Sequence, residues 1–414
     1  MENIKRFVGI DWGSEKHQVC VLGPDRTVIL ERVVVHGGQA LHDLADAILD
    51  GVEPSEVAVA IETPRGPIVE TLLERGIAVF AINPKQLDRF RDRHTAAGAK
   101  DDRRDAFVLA DSLRTDRNAF RQVHASSPFI VQLRELSRLH EELVAERVAT
   151  GNRLVDQLRR YFTQILELDT VGDACWIWSL LELAPTPDLA KRLSLAKITA
   201  ILRSHRIRRH SAEAVKAVLA VGPLTVADGV VAAATIRVGS LVARLRLIHE
   251  QLKDCEVRVR KLLDALAKQP SERPNSDSAV VLSIPGIGPV VGAVLLVEAE
   301  LALRERDYAT LRALSGVAPV TRATGKRSGK HASVSMRHAC NNRLRNAIHY
   351  WIHSAIGLDP KVKARYAAHR ARGHSHGRAI RGVGDRMLGV LVAMLKTGTL
   401  YQVEPAPTSA PSST

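Results

Sequence analysis

Aromatic residues make up only 4% of this 414-residue chain, and cysteine occurs four times, at Cys20, Cys175, Cys255 and Cys340. The scarcity of rings argues against nucleic-acid recognition through base-stacking platforms, which need Phe, Tyr or Trp on the surface. The cysteines are widely spaced and form no Cys-x-x-Cys pair, so they read as ordinary reduced residues, with neither a disulfide framework nor a zinc site expected. No run of eighteen apolar residues occurs and the first residues lack a signal-peptide apolar core. The expectation is a soluble intracellular protein with no membrane partner. Internal repeats are also lacking, as is a nucleotide-binding glycine fingerprint: Gly286-Ile-Gly288 has no strand before it.

What the chain has in excess is positive charge. The net charge is +14 and the pI about 9.9. Between Arg322 and Arg386 there are fifteen Lys and Arg against only Asp359 and Asp385, a local excess of +13 within 65 residues. Cations at this density neutralise phosphates and release counterions, so a polyanionic partner bound through its backbone is expected, with steep salt dependence.

Hydrophobic patterning divides the chain. Residues 1–125 alternate strands and helices: apolar runs at Phe7–Ile10, Gln18–Leu22 and Thr27–Val35 form a meander. A helix around 40–49, a strand at 57–61, a helix at 66–75, a strand at 78–82 and a helix from Pro84 follow. Residues 126–270 read as helical. Leu241, Leu245, Ile248, Leu252, Cys255, Val259, Leu262 and Leu266 are spaced as a heptad seam there. Such a seam must be buried, either against another chain or against an antiparallel partner such as 130–162; a role in oligomerisation is the preferred reading. Residues 271–400 are predicted as a helical domain. Its Ser283-Ile-Pro-Gly-Ile-Gly-Pro289 turn reads equally as a helix-hairpin-helix phosphate turn or as a plain tight turn between packed helices. Helices are expected at 307–315, 337–357, 360–372 and 375–398, with Gly373 as a break. Residues 401–414, polar and rich in proline, are expected to be disordered.

Four carboxylates stand out by placement. Asp11 ends the first strand and Glu62 ends the strand Val57–Ile61, at the strand tips where open α/β sheets place ligands. Asp102 and Asp105 are i and i+3 at the start of a helix running to about Arg114, so they share a face. Asp101 is out of phase with that face and Asp111 lies two turns further down, so neither is counted with the group. Carboxylate oxygens from separate elements suit Mg²⁺ or Mn²⁺ and in-line phosphoryl transfer. Downstream, the loop Thr324-Gly-Lys-Arg-Ser-Gly-Lys330 carries two hydroxyls beside three cations, Lys326, Arg327 and Lys330. Thr324 or Ser328 is a candidate nucleophile, and the cations suit a transferring phosphate. Arg337, Arg343 and Arg345 are further candidate nucleic-acid contacts. His374 and His376 lack a Cys or carboxylate to complete a metal set, which favours phosphate contact or solvent exposure.

Taken together, Gly9-Ile-Asp-Trp12, Ile61-Glu-Thr-Pro64, Lys100-Asp-Asp-Arg-Arg-Asp-Ala106, Ile284-Pro-Gly-Ile-Gly-Pro289, and the stretch from Leu314 to Lys330 continuing to Met336–Asn346 resemble the insertion-sequence one-ten family of DEDD transposases, in the right order over residues 5–400. The resemblance implies a resolvase-like, RNase H-type mixed α/β domain, a long helical coiled-coil segment and an α-helical C-terminal transposase domain. It implies that Asp11, Glu62, Asp102 and Asp105 hold Mg²⁺ or Mn²⁺, and that a C-terminal serine takes a DNA phosphate covalently at the acid site of another subunit. Implied partners are donor and target DNA, a guide RNA transcribed from the element, and further copies of the chain as a dimer or tetramer in the bacterial cytoplasm or nucleoid. The chain departs from the pattern at one point: counting from Pro319, the family's serine position holds Thr324, whereas Ser328 matches when the loop is aligned from Met336. Two other readings stay open from the sequence: a junction-resolving nuclease using the carboxylates and water, and a nucleic-acid-binding scaffold whose site has decayed.

Overall fold

The structure is a computed structural model that describes residues 3–82, 84–91, 101–227, 229–322 and 333–402. Two units divide it, Met1–Ser127 and Pro128–Thr414.

The first unit is a mixed sheet between two layers of helices. In chain order it runs β1 (Arg6–Asp11), β2 (Lys16–Leu22), β3 (Val28–Val35), α1 (Gly38–Leu49), β4 (Val57–Ile61), α2 (Pro67–Glu74), β5 (Ala78–Ala81), α3 (Pro84–Arg91), α4 (Asp102–Thr115) and β6 (Arg121–Gln122). The strand order is β3-β2-β1-β4-β5-β6. β1 to β3 form the expected antiparallel meander, β1, β4 and β5 are parallel, and β6 closes the edge antiparallel. Alternation along each strand sorts side chains onto two faces. Val8, Ile10, Val57, Val59 and Ile61 pack with Leu41, Leu44 and Ile48 of α1 and Ile68 and Leu72 of α2. Phe7, Ala58, Ala60 and Phe80 pack on the other face with Leu87 and Phe90 of α3 and Ala106, Leu109 and Leu113 of α4. Burial pushes the Cys20 thiol up to about 11, in keeping with an inert core cysteine, and all four cysteines are free.

Among its described residues the second unit is helical apart from one strand pair: α5 (Pro128–Arg159), α6 (Cys175–Leu183), α7 (Pro187–Lys191), α8 (Leu195–Ser204), α9 (Ala212–Ala220), α10 (Val230–Ala267), α11 (Asp277–Leu282), α12 (Pro289–Glu298), α13 (Glu300–Arg304), α14 (Tyr308–Leu314), β7 (Val320–Arg322), β8 (Ser333–Ser335), α15 (Asn342–Leu358), α16 (Pro360–Ala371) and α17 (His376–Thr397). α10 is its spine. The first half of α10 packs with α5 and α6 to α9, and Trp176, Trp178 and Tyr161 fill that core. Its second half packs with α11 to α17 around Trp351.

The heptad seam is buried within the chain. α10 lies against α5, with the Cys255 thiol on the Leu136 carbonyl at 3.3 Å, and Leu154 and Leu158 in the same core as Leu241 and Leu245. This is the antiparallel hairpin, so the seam itself gives no support to an intermolecular coiled coil. Burying each such Leu stabilises by about 1.5–3 kcal/mol, and the hairpin realises that gain without a second chain. The last turns also shift register: Leu263, 1% exposed, takes the position expected of Leu262. A straight helix at 3.6 residues per turn drifts from a 3.5 repeat in this sense.

Candidate functional site

Asp11 and Glu62 are neighbours in register. Ile10 pairs with Ile61 across the parallel β1–β4 ladder, so the acids are the next residues on adjacent strands. By the same alternation that sends Phe7 and Gly9, and Ala58 and Ala60, to the α4 face, Asp11 and Glu62 belong to that face. Both are half-buried.

α4 approaches this edge through a glycine. A Cβ on Gly9 would meet the Ala106 carbonyl at 1.9 Å and the Ala110 amide nitrogen at 2.6 Å, so helix backbone and strand backbone touch there. Only a residue without a side chain permits that crossing. It sets the first turn of α4, with Asp102 and Asp105, beside the sheet. Asp101 is the N-cap, its carboxylate accepting from the Arg103 amide at 3.1 Å; its offset from the acidic face is therefore that of a cap. Asp102 is exposed and Asp105 is 1% exposed. Carboxylates in a first turn are favoured by the helix dipole.

Asp105 already holds a cation. Arg91, the last residue of α3, donates through Nε to Oδ1 at 2.6 Å and through Nη2 to Oδ2 at 2.7 Å. Leu87 and Phe90 anchor α3 in the core, Phe90 stacking on Phe120, and Arg91 stands i+4 from Leu87 so that its fork meets α4. Burial alone lowers the Arg91 pKa, but the hydrogen bonds and charge of Asp105, then the charges of Asp88 and Glu62, raise it above its ordinary value. Glu62 therefore lies within the electrostatic reach of the same guanidinium. Sequence patterning did not single out Arg91, because its role depends on a contact between helices; its i+4 spacing from a buried Leu at the end of an amphipathic helix was the available signal. Among the described residues no group of three or more His, Cys, Asp or Glu side chains converges as a ready-made metal site.

Asp111 is also buried, at 6% exposure, and bonds Arg114 at 2.8 and 3.0 Å with Arg26 at 3.4 Å. It sits away from the strand tips, beside the β2–β3 turn.

In the second unit, β7 and β8 pair as an antiparallel hairpin, Arg322 opposite Ser333. This stem brackets the hydroxyl loop, and Thr324, Lys326, Arg327, Ser328 and Lys330 themselves lie outside the described residues, as do Lys100 and the tail from 403. Arg343 forms ion pairs with Glu141 and Glu298, each at 3.2 Å, and bonds Ser137 at 3.1 Å, tying α15 to α5 and α12. Asn341 caps α15 and bonds Glu298 at 2.6 Å. Arg345 is half-buried, its Nη1 at 3.9 Å from the Cys340 sulfur, and the Nε of Arg337 is buried without a hydrogen-bond partner among the described residues.

The glycine turn is partly spent on packing. Gly286, at φ +85°, leaves room for α15: a Cβ there would meet the Ala355 amide nitrogen and the Trp351 carbonyl at 2.7 Å, and Trp351 donates to the Pro285 carbonyl at 3.1 Å. Gly288 faces open space. His374 lies against His369 and His376 against Tyr366. No helix among the described residues is long and apolar enough to cross a membrane.

Comparison with known proteins adds to this geometry. A family model described as a transposase, of the DEDD type, matches residues 8–163, and one described as the IS116/IS110/IS902 transposase family matches residues 278–367. The mini-circle protein named as a transposase for IS117 in Streptomyces coelicolor is 32% identical over 404 residues, covering 96% of this chain and 95% of that one. The y4uE protein of Sinorhizobium fredii, also named as a transposase, is 50% identical over 209 residues, which span 50% of this chain and 58% of its own length. A 43.6 kDa protein of insertion element IS110 from S. coelicolor is 25% identical over 407 residues.

Proposed function

This chain belongs to the IS110 family of insertion-sequence transposases, with an RNase H-like DEDD domain at its N-terminus, and on that premise we propose that it exchanges DNA strands at an acid site formed by Asp11, Glu62, Asp102 and Asp105. The observation that carries this is the pair of strand-tip acids in adjacent register on the face that α4 covers, with Asp105 buried in the first turn of α4. Family membership implies a divalent metal ion, and the donor set fits one: the acids offer hard oxygen ligands, and Asp105 already binds one cationic group with both oxygens. When bound, Mg²⁺ or Mn²⁺ would polarise the scissile phosphate and lower the charge developing on the attacking and leaving oxygens.

The chain's own residues do the rest. Asp11 and Glu62 hold position because both end strands buried on their two faces. Asp105 is fixed by helix packing at Gly9, and Asp102, exposed in the same turn, would join it in holding the ion. The hydroxyl of Thr324 or Ser328 is the nucleophile: its oxygen bonds to a DNA phosphorus, the bridging DNA oxygen leaves, and the hydroxyl proton ends on that leaving oxygen. Lys326, Arg327 and Lys330 balance charge on the non-bridging oxygens. The basic region from 322 to 386 holds DNA backbone, and a guide RNA in a complex of more than one copy belongs to the same reading.

The test is a plasmid recombination assay with denaturing-gel detection of a protein–DNA adduct. Asp11→Ala abolishes both products, while Thr324→Ala or Ser328→Ala removes the adduct, whichever residue reacts. Threonine at the serine position favours one second reading, a nuclease that uses water: there the Thr324→Ala, Ser328→Ala double variant still cuts and no adduct forms. Recombination surviving in Asp11→Ala and Glu62→Ala would overturn both.

A further inference from the structure

We propose that Arg91 is a built-in counter-cation of the acid site, occupying Asp105 until a divalent ion displaces it. This rests on the reading of Asp11, Glu62 and Asp105 as one site. Three observations carry it. Both oxygens of Asp105 are taken by one guanidinium, at 2.6 and 2.7 Å, so the acceptor direction of each oxygen that faces Arg91 is filled, and an ion entering beside it meets both an occupied site and a like charge. The same guanidinium feels the charge of Glu62, so it stands where the fields of a sheet acid and a helix acid overlap. Asp105 is 1% exposed, and a buried carboxylate without a partner is strongly disfavoured; the pocket therefore needs one cation or another at all times.

Arg91 is built to leave. Its side chain is 26% exposed, and its Nη1 also bonds Asp88 at 2.6 Å, whose side chain is 64% exposed. Swinging out toward Asp88 moves the charge into water while keeping one ion pair. Removing Arg91 from Asp105 without a replacement leaves the acid unpaired, so ion entry and Arg91 exit are thermodynamically coupled. The apparent metal affinity is then the intrinsic affinity multiplied by the fraction of molecules with Arg91 withdrawn. An acid site that stays closed by its own arginine does not cut DNA when metal alone is present at low concentration. Phosphate arriving at the site supplies a second reason for Arg91 to move, since a guanidinium matches phosphate as well as carboxylate.

The experiment is calorimetric titration of Mn²⁺ into the full chain, with thermal melts with and without Mn²⁺, for the wild type, Arg91→Gln and Arg91→Lys, each with and without Asp11→Asn. Arg91→Gln tightens Mn²⁺ binding by at least about tenfold, the factor expected if the pair is closed nine-tenths of the time, and gains more melting temperature from Mn²⁺ than the wild type does. Arg91→Lys, a point charge without the fork, lies between them and covers the case in which Arg91→Gln folds only with metal. Unchanged or weaker Mn²⁺ binding in both variants, with binding still lost in Asp11→Asn, makes Arg91 a fixed structural partner and overturns the proposal while the acid site stands. Binding unaffected by Asp11→Asn in every background overturns the acid site itself, and the proposal with it.

Discussion

The two ends of α4 carry the same motif in different surroundings. Asp105 in the first turn and Asp111 two turns on are both buried and both paired with arginine. Asp111 takes Arg114 from its own helix and Arg26 from the β2–β3 turn, beside no other acid of the proposed site. Asp105 takes Arg91 from the end of another helix, under the charge of Glu62, next to the strand tips. Burial and pairing thus do not mark function by themselves. On the proposed reading, what separates the two is whether the arginine shares its field with a second acid at the C-terminal ends of the central strands.

That contrast can be broken at several points, in descending order of effect. On the proposed reading, Asp11→Ala or Glu62→Ala removes a carboxylate that would hold the divalent ion, whose stabilisation of transition-state charge is worth several kcal/mol. Recombination falls by at least about a thousandfold, while the melting temperature and DNA mobility shift stay near wild type. Gly9→Ala drives a methyl into the Ala106 carbonyl; overpacking costs about 1–3 kcal/mol, so denaturant melts show a loss of that size, and activity falls further than stability because the first turn of α4 is displaced. Asp105→Asn and Asp111→Asn sharpen the comparison directly. Each loses about 2 kcal/mol of stability through its charged hydrogen bonds, but only Asp105→Asn loses Mn²⁺ affinity and recombination. Equal activity losses in the two variants would erase the distinction between the ends of the helix.

A smaller test applies the same logic to the basic region. Lys326→Ala, Arg327→Ala or Lys330→Ala each reduces the slope of log affinity for duplex DNA against log salt by about 0.9. Arg343→Ala, whose side chain is engaged by Glu141 and Glu298, lowers stability and leaves the slope unchanged.

Much of this architecture is legible in the sequence. Period-two alternation and turn residues located β1 to β5, and the ends of two apolar runs located Asp11 and Glu62 at strand tips. The heptad pattern located the spine helix but not its partner, because burial on α5 and burial on a second copy ask for the same spacing. β6, β7 and β8 were not read, being two or three residues each and carrying no periodicity, and neither were the short helices α6 to α9. Arg91 and Gly9 escaped for a different reason: one acts through a pairing across helices and the other by lacking a side chain where backbone meets backbone. Charge alone marks Arg343 as a candidate nucleic-acid contact; its ion pairs with Glu141 of α5 and Glu298 of α12 depend on contacts between helices that charge does not reveal.

The most direct test of the account is anomalous diffraction from crystals of the full chain grown with Mn²⁺. A peak within ligand distance of Asp11, Glu62 and Asp105, with Arg91 withdrawn from Asp105 toward Asp88, is the predicted result. A peak elsewhere, or none at these acids with the Arg91–Asp105 pair intact at saturating Mn²⁺, would contradict it.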